Sequence, residues 1–308
     1  METIRIQGLS IPVSKLIQGS DFFTHDRYEQ VCDVLDRFRA LGGTTIDTAH
    51  IYCRGQSEET IGRWMKERGN RAEVVILTKG AHHNADGPRV NPEAIASDLN
   101  TSLERLETDY IDLYALHRDD TAVPVSVIMD ALNEHIDAGR IHAIGASNWS
   151  YQRLQEANDY AAERGLVGFS FSSPNLSLAK PNEARWAGCI SADGETCAWH
   201  ERNQMPLLSW SSQAGGFFTG RFAPDILDNK EMVRVYYSDA NWQRLNRAEQ
   251  LAKQKGVTTV QISLAYVLNQ PFPSAALVGA QNEGEQLSCY EGSKLKLTAE
   301  EVNWLEHG

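Results

Sequence analysis

The chain has 308 residues, of which 42% are hydrophobic and 23% charged, so it is long enough to bury a sizeable core. Its 29 basic and 41 acidic residues give a formal net charge of −12, which disfavours binding to nucleic acid or to anionic membrane surfaces. The five cysteines form no Cys-x-x-Cys pair, so we expect reduced thiols instead of disulfides or a zinc site. Because the N-terminus lacks a signal-peptide pattern and no apolar run reaches membrane-spanning length, we expect a cytoplasmic protein.

Strand-like and helix-like segments alternate along the chain. A short hairpin over 4–13 comes first, and eight buried strands are then predicted at 16–20, 44–47, 74–79, 111–117, 141–147, 167–172, 206–211 and 275–278. Helical patterns fall between or after them at 27–41, from 57, from 92, at 125–138, 151–164, 239–255, 258–268 and 299–305.

Short strands without polar alternation, each followed by a helix, indicate a closed parallel barrel. The predicted fold is therefore α/β, a (β/α)8 TIM barrel with an N-terminal β-hairpin, formed as one domain over residues 1–308. A doubly wound open sheet is the alternative, but it needs a Gly-x-Gly-x-x-Gly turn after the first strand. Gly19-Ser20-Asp21-Phe22 is not such a turn.

Local patterns set several of the helix ends. Ser57 and Asp239 are predicted N-caps, and Asn91-Pro92 begins another helix. Thr258 and Gln261 have the spacing of a capping box. The two longest stretches without strands, 82–91 and 213–239, both follow strands, so we expect them at the catalytic rim.

Three consecutive predicted strands end in ionisable side chains. Asp47 ends the second strand, Lys79 the third and His117 the fourth, and Tyr52 follows Asp47 by five residues. Catalytic groups of a parallel barrel are assembled at the carboxyl ends of its strands, so we expect these four side chains to meet.

This combination of residues suits proton transfer to a carbonyl. Asp47 would pair with Lys79, whose ammonium would lower the pKa of Tyr52 from about 10. Tyr52 could then protonate a carbonyl oxygen as hydride arrives, and remove that proton in reverse. His117 would orient the carbonyl as a neutral donor or share the proton. Each residue alone is more often structural, and only the combination on one rim favours catalysis.

Several motifs recur in a distinctive order along the chain: Asp47-Thr48-Ala49-x-x-Tyr52, Ser57-Glu58-Glu59-x-Ile61-Gly62, Leu116-His117-Arg118-x-Asp120, Gly145-Ala146-Ser147-Asn148-Trp149, Trp210-Ser211 and Gly216-x-x-Thr219-Gly220-Arg221. Over essentially the whole chain, their order and spacing resemble the aldo-keto reductase family. The resemblance implies a (β/α)8 barrel that binds NADP(H) or NAD(H) in extended form without a Rossmann domain. It also implies that Asp47, Tyr52, Lys79 and His117 are the catalytic residues, with Tyr52 as the general acid.

The resemblance further implies a set of coenzyme contacts. Ser147 and Asn148 would bind the nicotinamide carboxamide, and Trp210 stands where the family usually has a tyrosine that stacks on the ring. The remaining implied contacts approach the ring, the pyrophosphate or the adenosine end: Gly19, Ser20, Ser211, Gln213, Gly216, Arg221, Gly279, Gln281 and Glu285.

Three positions depart from the family pattern. The sixth strand lacks the usual glutamine, and Ser172 is the expected substitute for its contact with the carboxamide. Cys53 replaces the usual glycine after Tyr52. The loop after the eighth strand lacks the basic residue that would pair with a 2′-phosphate, and Glu283 and Glu285 would repel that phosphate or accept from a free 2′-hydroxyl. The resemblance thus favours NADP(H), whereas the local chemistry favours NAD(H) or dual use.

Polar residues near the four catalytic positions favour a hydroxylated, sugar-like substrate: the segment 80–88, together with His50 and Arg54. The adjacent His82 and His83 should diverge, and no carboxylate spacing completes a metal site there. We therefore predict an NAD(P)H-dependent oxidoreductase that reduces an aldehyde or ketone, or runs the reverse, with a small-molecule partner and no metal.

Two alternatives remain open at this stage. The first is a cofactor-binding regulatory subunit with little turnover, and the weaker second is a metal-dependent sugar isomerase on the same barrel. The sequence leaves the physiological substrate, the reaction direction and the oligomeric state undetermined.

Overall fold

The computed structural model describes residues 1–308, and its strands form a two-stranded sheet and a closed barrel. In chain order the strands are β1 (Thr3–Ile4), β2 (Val13–Ser14), β3 (Leu16–Gly19), β4 (Thr45–Asp47), β5 (Val75–Gly80), β6 (Ile111–Leu116), β7 (Ile141–Ser147), β8 (Phe171–Ser173), β9 (Leu207–Ser209) and β10 (Ser274–Val278). β3 to β10 are parallel and close the barrel in sequence order, because β10 pairs with both β9 and β3. The predicted (β/α)8 barrel is confirmed, and its organisation as one domain over 1–308 stays a prediction.

Helices surround this barrel. They are α1 (Tyr28–Ala40), α2 (Gln56–Arg68), α3 (Pro92–Arg105), α4 (Val125–Asp137), α5 (Tyr151–Arg164), α6 (Gly194–Asn203), α7 (Lys230–Tyr236), α8 (Asp239–Lys255), α9 (Thr259–Leu268), α10 (Glu283–Ser293) and α11 (Ala299–His307). No helix was predicted from the sequence over the ranges of α7 and α10. None of these helices combines the length and the apolar character needed to cross a membrane.

The barrel interior is filled by side chains that alternate with outward-facing ones along each strand. Leu77, Leu113 and Phe171 are among its fully buried residues, and the N-terminal hairpin contributes Ile4 and Val13 to the same cluster. A Cβ at Gly145 would lie 2.4 Å from the Phe171 ring, so only glycine leaves room for that ring inside the barrel. The hairpin therefore packs on the interior core of the barrel.

Two of the predicted helix N-caps are confirmed and two are wrong. Asn91 accepts a hydrogen bond from the Ala94 N–H at 2.9 Å, and Thr258 with Gln261 forms the capping box. α8 is capped by Ser238 instead of Asp239, which is its first helical residue. α2 begins after Gly55, and the Ser57 hydroxyl bonds to Ser20 and Thr48 instead of capping the helix.

The sixth barrel strand is shorter than predicted and begins at Phe171 instead of residue 167. The N–H groups of Val167 and Phe169 donate to the side chains of Asn133 on α4 and Asn158 on α5, at 2.8 and 2.7 Å. The helices thus take the backbone hydrogen bonds that a longer strand would have needed.

Candidate active site

Strand register brings three of the four predicted catalytic side chains to one face. Asp47 pairs with Leu77 across β4 and β5, and Lys79 lies two residues further along, on the same interior side. Lys79 pairs with Ala115 of β6, and His117 follows Ala115 by two residues. All three side chains therefore point inward at the carboxyl end of the barrel.

A buried ion pair joins the first two of these residues. The Lys79 Nζ contacts the Asp47 carboxylate, donates to the Thr48 carbonyl at 2.9 Å and lies 3.4 Å from the Tyr52 hydroxyl. Both charged side chains are almost fully buried. Their pairing satisfies two charges that would each be costly to bury alone.

A turn anchored to its neighbours carries Tyr52. The His50 N–H donates to the Lys79 carbonyl at 2.9 Å and so extends the β4–β5 pairing beyond the end of β4. Cys53 and Arg54 have φ of 48° and 57°, a left-handed conformation that costs non-glycine residues about 1 kcal/mol or more each. This turn leads directly into α2.

Ser57 ties α2 to the barrel rim. Its hydroxyl lies 2.6 Å from that of Ser20 after β3 and 2.9 Å from that of Thr48 after β4. The next residue, Glu58, is buried and accepts a hydrogen bond from the Thr78 hydroxyl of β5 at 2.7 Å. These contacts explain why Ser57 and Glu58 accompany Tyr52 in the sequence.

Burial and neighbouring charges together shift the pKa values of Tyr52, Lys79 and His117. Burial raises the pKa of Tyr52 to about 12, and the nearby Lys79 ammonium only partly opposes this. The expectation that Lys79 would bring the pKa of Tyr52 below its usual value was therefore wrong. Burial disfavours the charge on Lys79 too, but the Asp47 carboxylate and Tyr52 more than compensate and raise its pKa. Burial and the Lys79 charge hold the pKa of His117 well below its usual value, so the ring is neutral at pH 7.

A cavity of about 830 Å³ opens over these side chains. Twelve of the thirteen predicted coenzyme contacts line the same cavity as the four predicted catalytic residues: Gly19, Ser20, Ser147, Asn148, Trp210, Ser211, Gln213, Gly216, Arg221, Gly279, Gln281 and Glu285. The cavity follows the barrel rim from β3 round to the start of α10. Its lining therefore extends from Tyr52 at one end to Glu285 at the other.

Asn148 connects three parts of the cavity wall. Its amide nitrogen donates to the His117 carbonyl at 3.3 Å and to the Ser147 hydroxyl at 3.0 Å. Its amide oxygen accepts from the Trp210 indole N–H and from the Ile190 backbone N–H, both at 3.2 Å. Because both ends of the amide are already occupied, a carboxamide bound here must replace one of these hydrogen bonds.

The loop after β9 places a cation next to two glycines with positive φ. Gly216 has φ of 87°, a left-handed conformation that favours glycine, and its Cα lies beside the Arg221 guanidinium. Arg221 is exposed at the cavity wall, where a pyrophosphate would meet it. The residues present in this loop fit an anionic coenzyme.

Comparison with known proteins agrees with this geometry. The model of the aldo/keto reductase family matches residues 17–307. The chain belongs to the aldo/keto reductase family. Norsolorinic acid reductase B of Aspergillus parasiticus is 28% identical over 99% of this chain and 81% of its own length. The aldo-keto reductase YhdN of Bacillus subtilis is 29% identical over 84% of this chain and 77% of its own length.

Two further similarities bear on fold and on function. A thermostable aldo-keto reductase crystallised with the inhibitor epalrestat shares the fold, with a TM-score of 0.78, 23% identity and 99% of both chains covered. A probable voltage-gated potassium channel subunit beta of Oryza sativa subsp. japonica is 28% identical over 82% of this chain and 78% of its own length. Most of the relatives named here are reductases, and this chain is an NAD(P)-dependent oxidoreductase of a family that reduces carbonyl groups.

One predicted coenzyme contact of this aldo-keto reductase was wrong. Ser172 pairs with the outward-facing Leu207 in register, and its hydroxyl lies 3.0 Å from the His200 imidazole on α6. It does not line the cavity. The inward position belongs to Ser173, whose carbonyl accepts from the Ser147 hydroxyl at 2.9 Å. A one-residue difference along a strand decides which face a side chain occupies.

Three other residues near the turn, His50, Cys53 and Arg54, do not line the cavity. The His50 imidazole lies 3.7 Å from the Asp98 carboxylate. The His50 backbone carbonyl accepts a hydrogen bond from the Arg105 guanidinium at 2.8 Å. The Cys53 thiol donates to the Asp21 carbonyl at 3.1 Å. Neither His50 nor Arg54 lines the cavity, so the expectation that they flank the substrate was wrong.

The sequence reading missed two contributors to this site. The segment between β8 and α6 covers the cavity, and Trp186, Ala187 and Cys189 line it. Arg27, just before α1, donates to the Gln281 side chain at 3.2 Å and brings a guanidinium beside the loop after β10. Neither feature has a local motif, because each depends on segments distant in sequence.

The two adjacent histidines do not diverge as expected. The His82 and His83 ring centroids are 4.1 Å apart, and His82 lies 4.8 Å from the His117 ring. Both line the cavity. No three His, Cys, Asp or Glu side chains cluster in a way that would hold a metal ion.

Proposed function

We propose that this chain reduces a polar, sugar-like aldehyde or ketone to an alcohol, or runs the reverse, with Tyr52 as the proton donor. The contact that carries the proposal is the Lys79 ammonium, held by Asp47 and 3.4 Å from the Tyr52 hydroxyl at the base of the cavity. A buried ammonium beside a phenol stabilises the phenolate that forms when the proton leaves.

Each of the four residues has a distinct part in this mechanism. The nicotinamide coenzyme, when bound, supplies or accepts the hydride. Tyr52 is protonated at neutral pH because burial raises its pKa to about 12, so it is ready to donate as a carbonyl oxygen gains charge. Asp47 keeps Lys79 charged, and the neutral His117 ring, 5.7 Å from the Tyr52 ring, orients the carbonyl.

The cavity wall supports a polar substrate that also has an apolar face. His82, His83 and Arg118 supply hydrogen-bonding groups beside His117, whereas Ile51 and Trp186 are partly exposed apolar side chains on the same wall. Sugars and sugar-derived carbonyl compounds present both hydroxyl groups and C–H faces. Both kinds of surface are therefore matched.

We further propose that NADH is accepted alongside NADPH. Glu285 lines the cavity and accepts a hydrogen bond from the Gln281 N–H at 2.8 Å, which leaves a carboxylate near the expected ribose. The Arg27 guanidinium beside Gln281 would instead attract a 2′-phosphate and so favours NADPH. Comparing kcat/KM for the two coenzymes tests this proposal. A preference for NADPH above about 100-fold, or about 2.7 kcal/mol, would contradict it.

The reaction class is tested by coenzyme oxidation across aldoses, sugar acids, ketoses and simple aldehydes. We expect turnover with at least one polar carbonyl compound and no effect of EDTA, whereas EDTA sensitivity would support a metal-dependent isomerase. The similarity to channel beta subunits favours one other outcome, a regulatory barrel that binds coenzyme with little turnover. Tight coenzyme binding without oxidation by any compound would support that alternative and contradict our proposal.

A further inference from the structure

Arg118 directly follows His117 and lies between two cavities. It lines the main cavity beside the predicted catalytic residues and also a smaller one of about 350 Å³ under the 84–90 loop. Its residue surface is only 8% exposed. The proposed mechanism gives this buried guanidinium no part in proton transfer.

No carboxylate of the chain neutralises Arg118. Its guanidinium donates to the His117 carbonyl at 2.8 Å and, at 3.4 Å, to the Ala187 carbonyl. The adjacent Asp119 instead pairs with Arg153 at 3.5 Å. A guanidinium has five N–H donors, so most of those of Arg118 have no partner, and a buried charge without a counter-ion is costly.

The other charged residues that line the main cavity are Asp21, Asp47, Lys79, Arg221 and Glu285, and none of the three carboxylates forms an ion pair with Arg118. Lys79 is neutralised by Asp47, and Arg221 is exposed in the loop where the coenzyme pyrophosphate is expected. The Glu285 carboxylate accepts from a backbone N–H at the far end of the cavity. Arg118 is thus a buried cation without an internal counter-ion on the side where the carbonyl is expected.

We propose that Arg118 binds a carboxylate of the substrate, so that the preferred substrates are carbonyl compounds with an acidic group, such as sugar acids and keto acids. The planar fork of a guanidinium matches a carboxylate through two parallel hydrogen bonds, and burial strengthens that contact. This inference rests on the proposed function and narrows its substrate class.

The test compares isosteric substrates within each enzyme. Formylbenzoates and formylbenzamides, substituted at the 3- or 4-position, differ mainly in the charge of the second group. We expect kcat/KM to favour the better carboxylate isomer by about 10- to 100-fold over its amide in the wild type. In Arg118→Gln this ratio should fall to within about threefold of one, and Arg118→Lys should restore part of it.

A matched control and a binding measurement make the outcomes distinct. Arg221→Gln removes the other cavity arginine and should change the coenzyme KM without changing the carboxylate-to-amide ratio. Because a ratio within one enzyme cancels any general loss of activity or folding, a merely structural role for Arg118 predicts an unchanged ratio. A wild-type ratio near one, or a ratio that survives in Arg118→Gln, overturns the inference.

Titration calorimetry separates this inference from the proposed function. Glutarate and butyrate are titrated in the presence of NADP⁺. Glutarate has a second carboxylate that can reach Arg118, whereas butyrate has only one carboxylate. We expect Arg118→Gln to weaken glutarate binding about tenfold or more and to affect butyrate less. If that difference is found while no carbonyl compound is turned over, the anion site stands and the proposed function fails. Unchanged glutarate binding in Arg118→Gln contradicts the anion site.

Discussion

Lys79 and Arg118 are two buried cations that line the same cavity, but the chain provides a counter-ion for only one of them. Lys79 is 2% exposed and has Asp47 as a counter-ion, a carbonyl acceptor and a tyrosine hydroxyl beside it. Arg118 is 8% exposed and has only carbonyl acceptors. A cation neutralised by the chain can tune a neighbouring group, whereas a cation left without a counter-ion is available to a ligand.

The largest expected effect comes from removing the paired cation. Lys79→Met leaves the Asp47 carboxylate buried without its partner, which should destabilise the fold by about 3–5 kcal/mol. Adding Asp47→Asn should recover much of this loss, since no buried charge then remains. Urea unfolding of both variants measures the difference, and equal stability of the single and double variants would count against a stabilising ion pair.

The next effect concerns the pH dependence of the two reaction directions. Because burial raises the pKa of Tyr52 to about 12, the protonated phenol needed for reduction persists through pH 10. Alcohol oxidation needs the phenolate, whose fraction rises about tenfold for each pH unit below that pKa. With chemistry rate-limiting, oxidation should therefore increase about 100-fold from pH 8 to 10 while reduction stays level. A tenfold fall in reduction between pH 7 and 9 would show that Lys79 outweighs burial.

The smallest effect is expected from the unpaired cation. Arg118→Met removes hydrogen bonds to two carbonyl groups and leaves no carboxylate without a partner, so stability should change by about 1 kcal/mol or less. The same urea measurement checks this value. A loss of about 3 kcal/mol or more would mean that Arg118 is chiefly a structural brace and would remove the contrast with Lys79.

The sequence predicted the barrel because its signals were local. Short buried strands, each followed by an amphipathic helix, recur eight times, and the bounds of β7 (Ile141–Ser147) and α5 (Tyr151–Arg164) agree with the predicted ranges. Asp47, Lys79 and His117 could be brought together because strand ends of a parallel barrel share one rim. Tyr52 joined them through the short turn after β4.

The features that could not be predicted depend on which face of a strand a side chain occupies, on how deeply it is buried, and on contacts between segments distant in sequence. The outward orientation of Ser172 could not be predicted, because helix side chains shorten this strand and too few residues remain to show an alternation. The raised pKa of Tyr52 depends on how completely the fold excludes water from it. Trp186 reaches the cavity from a segment with no motif, and the pairing of Asp119 with Arg153 instead of Arg118 is visible only in three dimensions.

The central claim is that Tyr52 donates the proton during carbonyl reduction. The most direct measurement is a single turnover by stopped flow, in which enzyme loaded with reduced coenzyme is mixed with a saturating aldehyde. For Tyr52→Phe, which keeps the ring and removes only the hydroxyl, we predict that coenzyme oxidation slows by about 10²- to 10⁴-fold. A rate within about threefold of the wild type would contradict the role of Tyr52 as the acid.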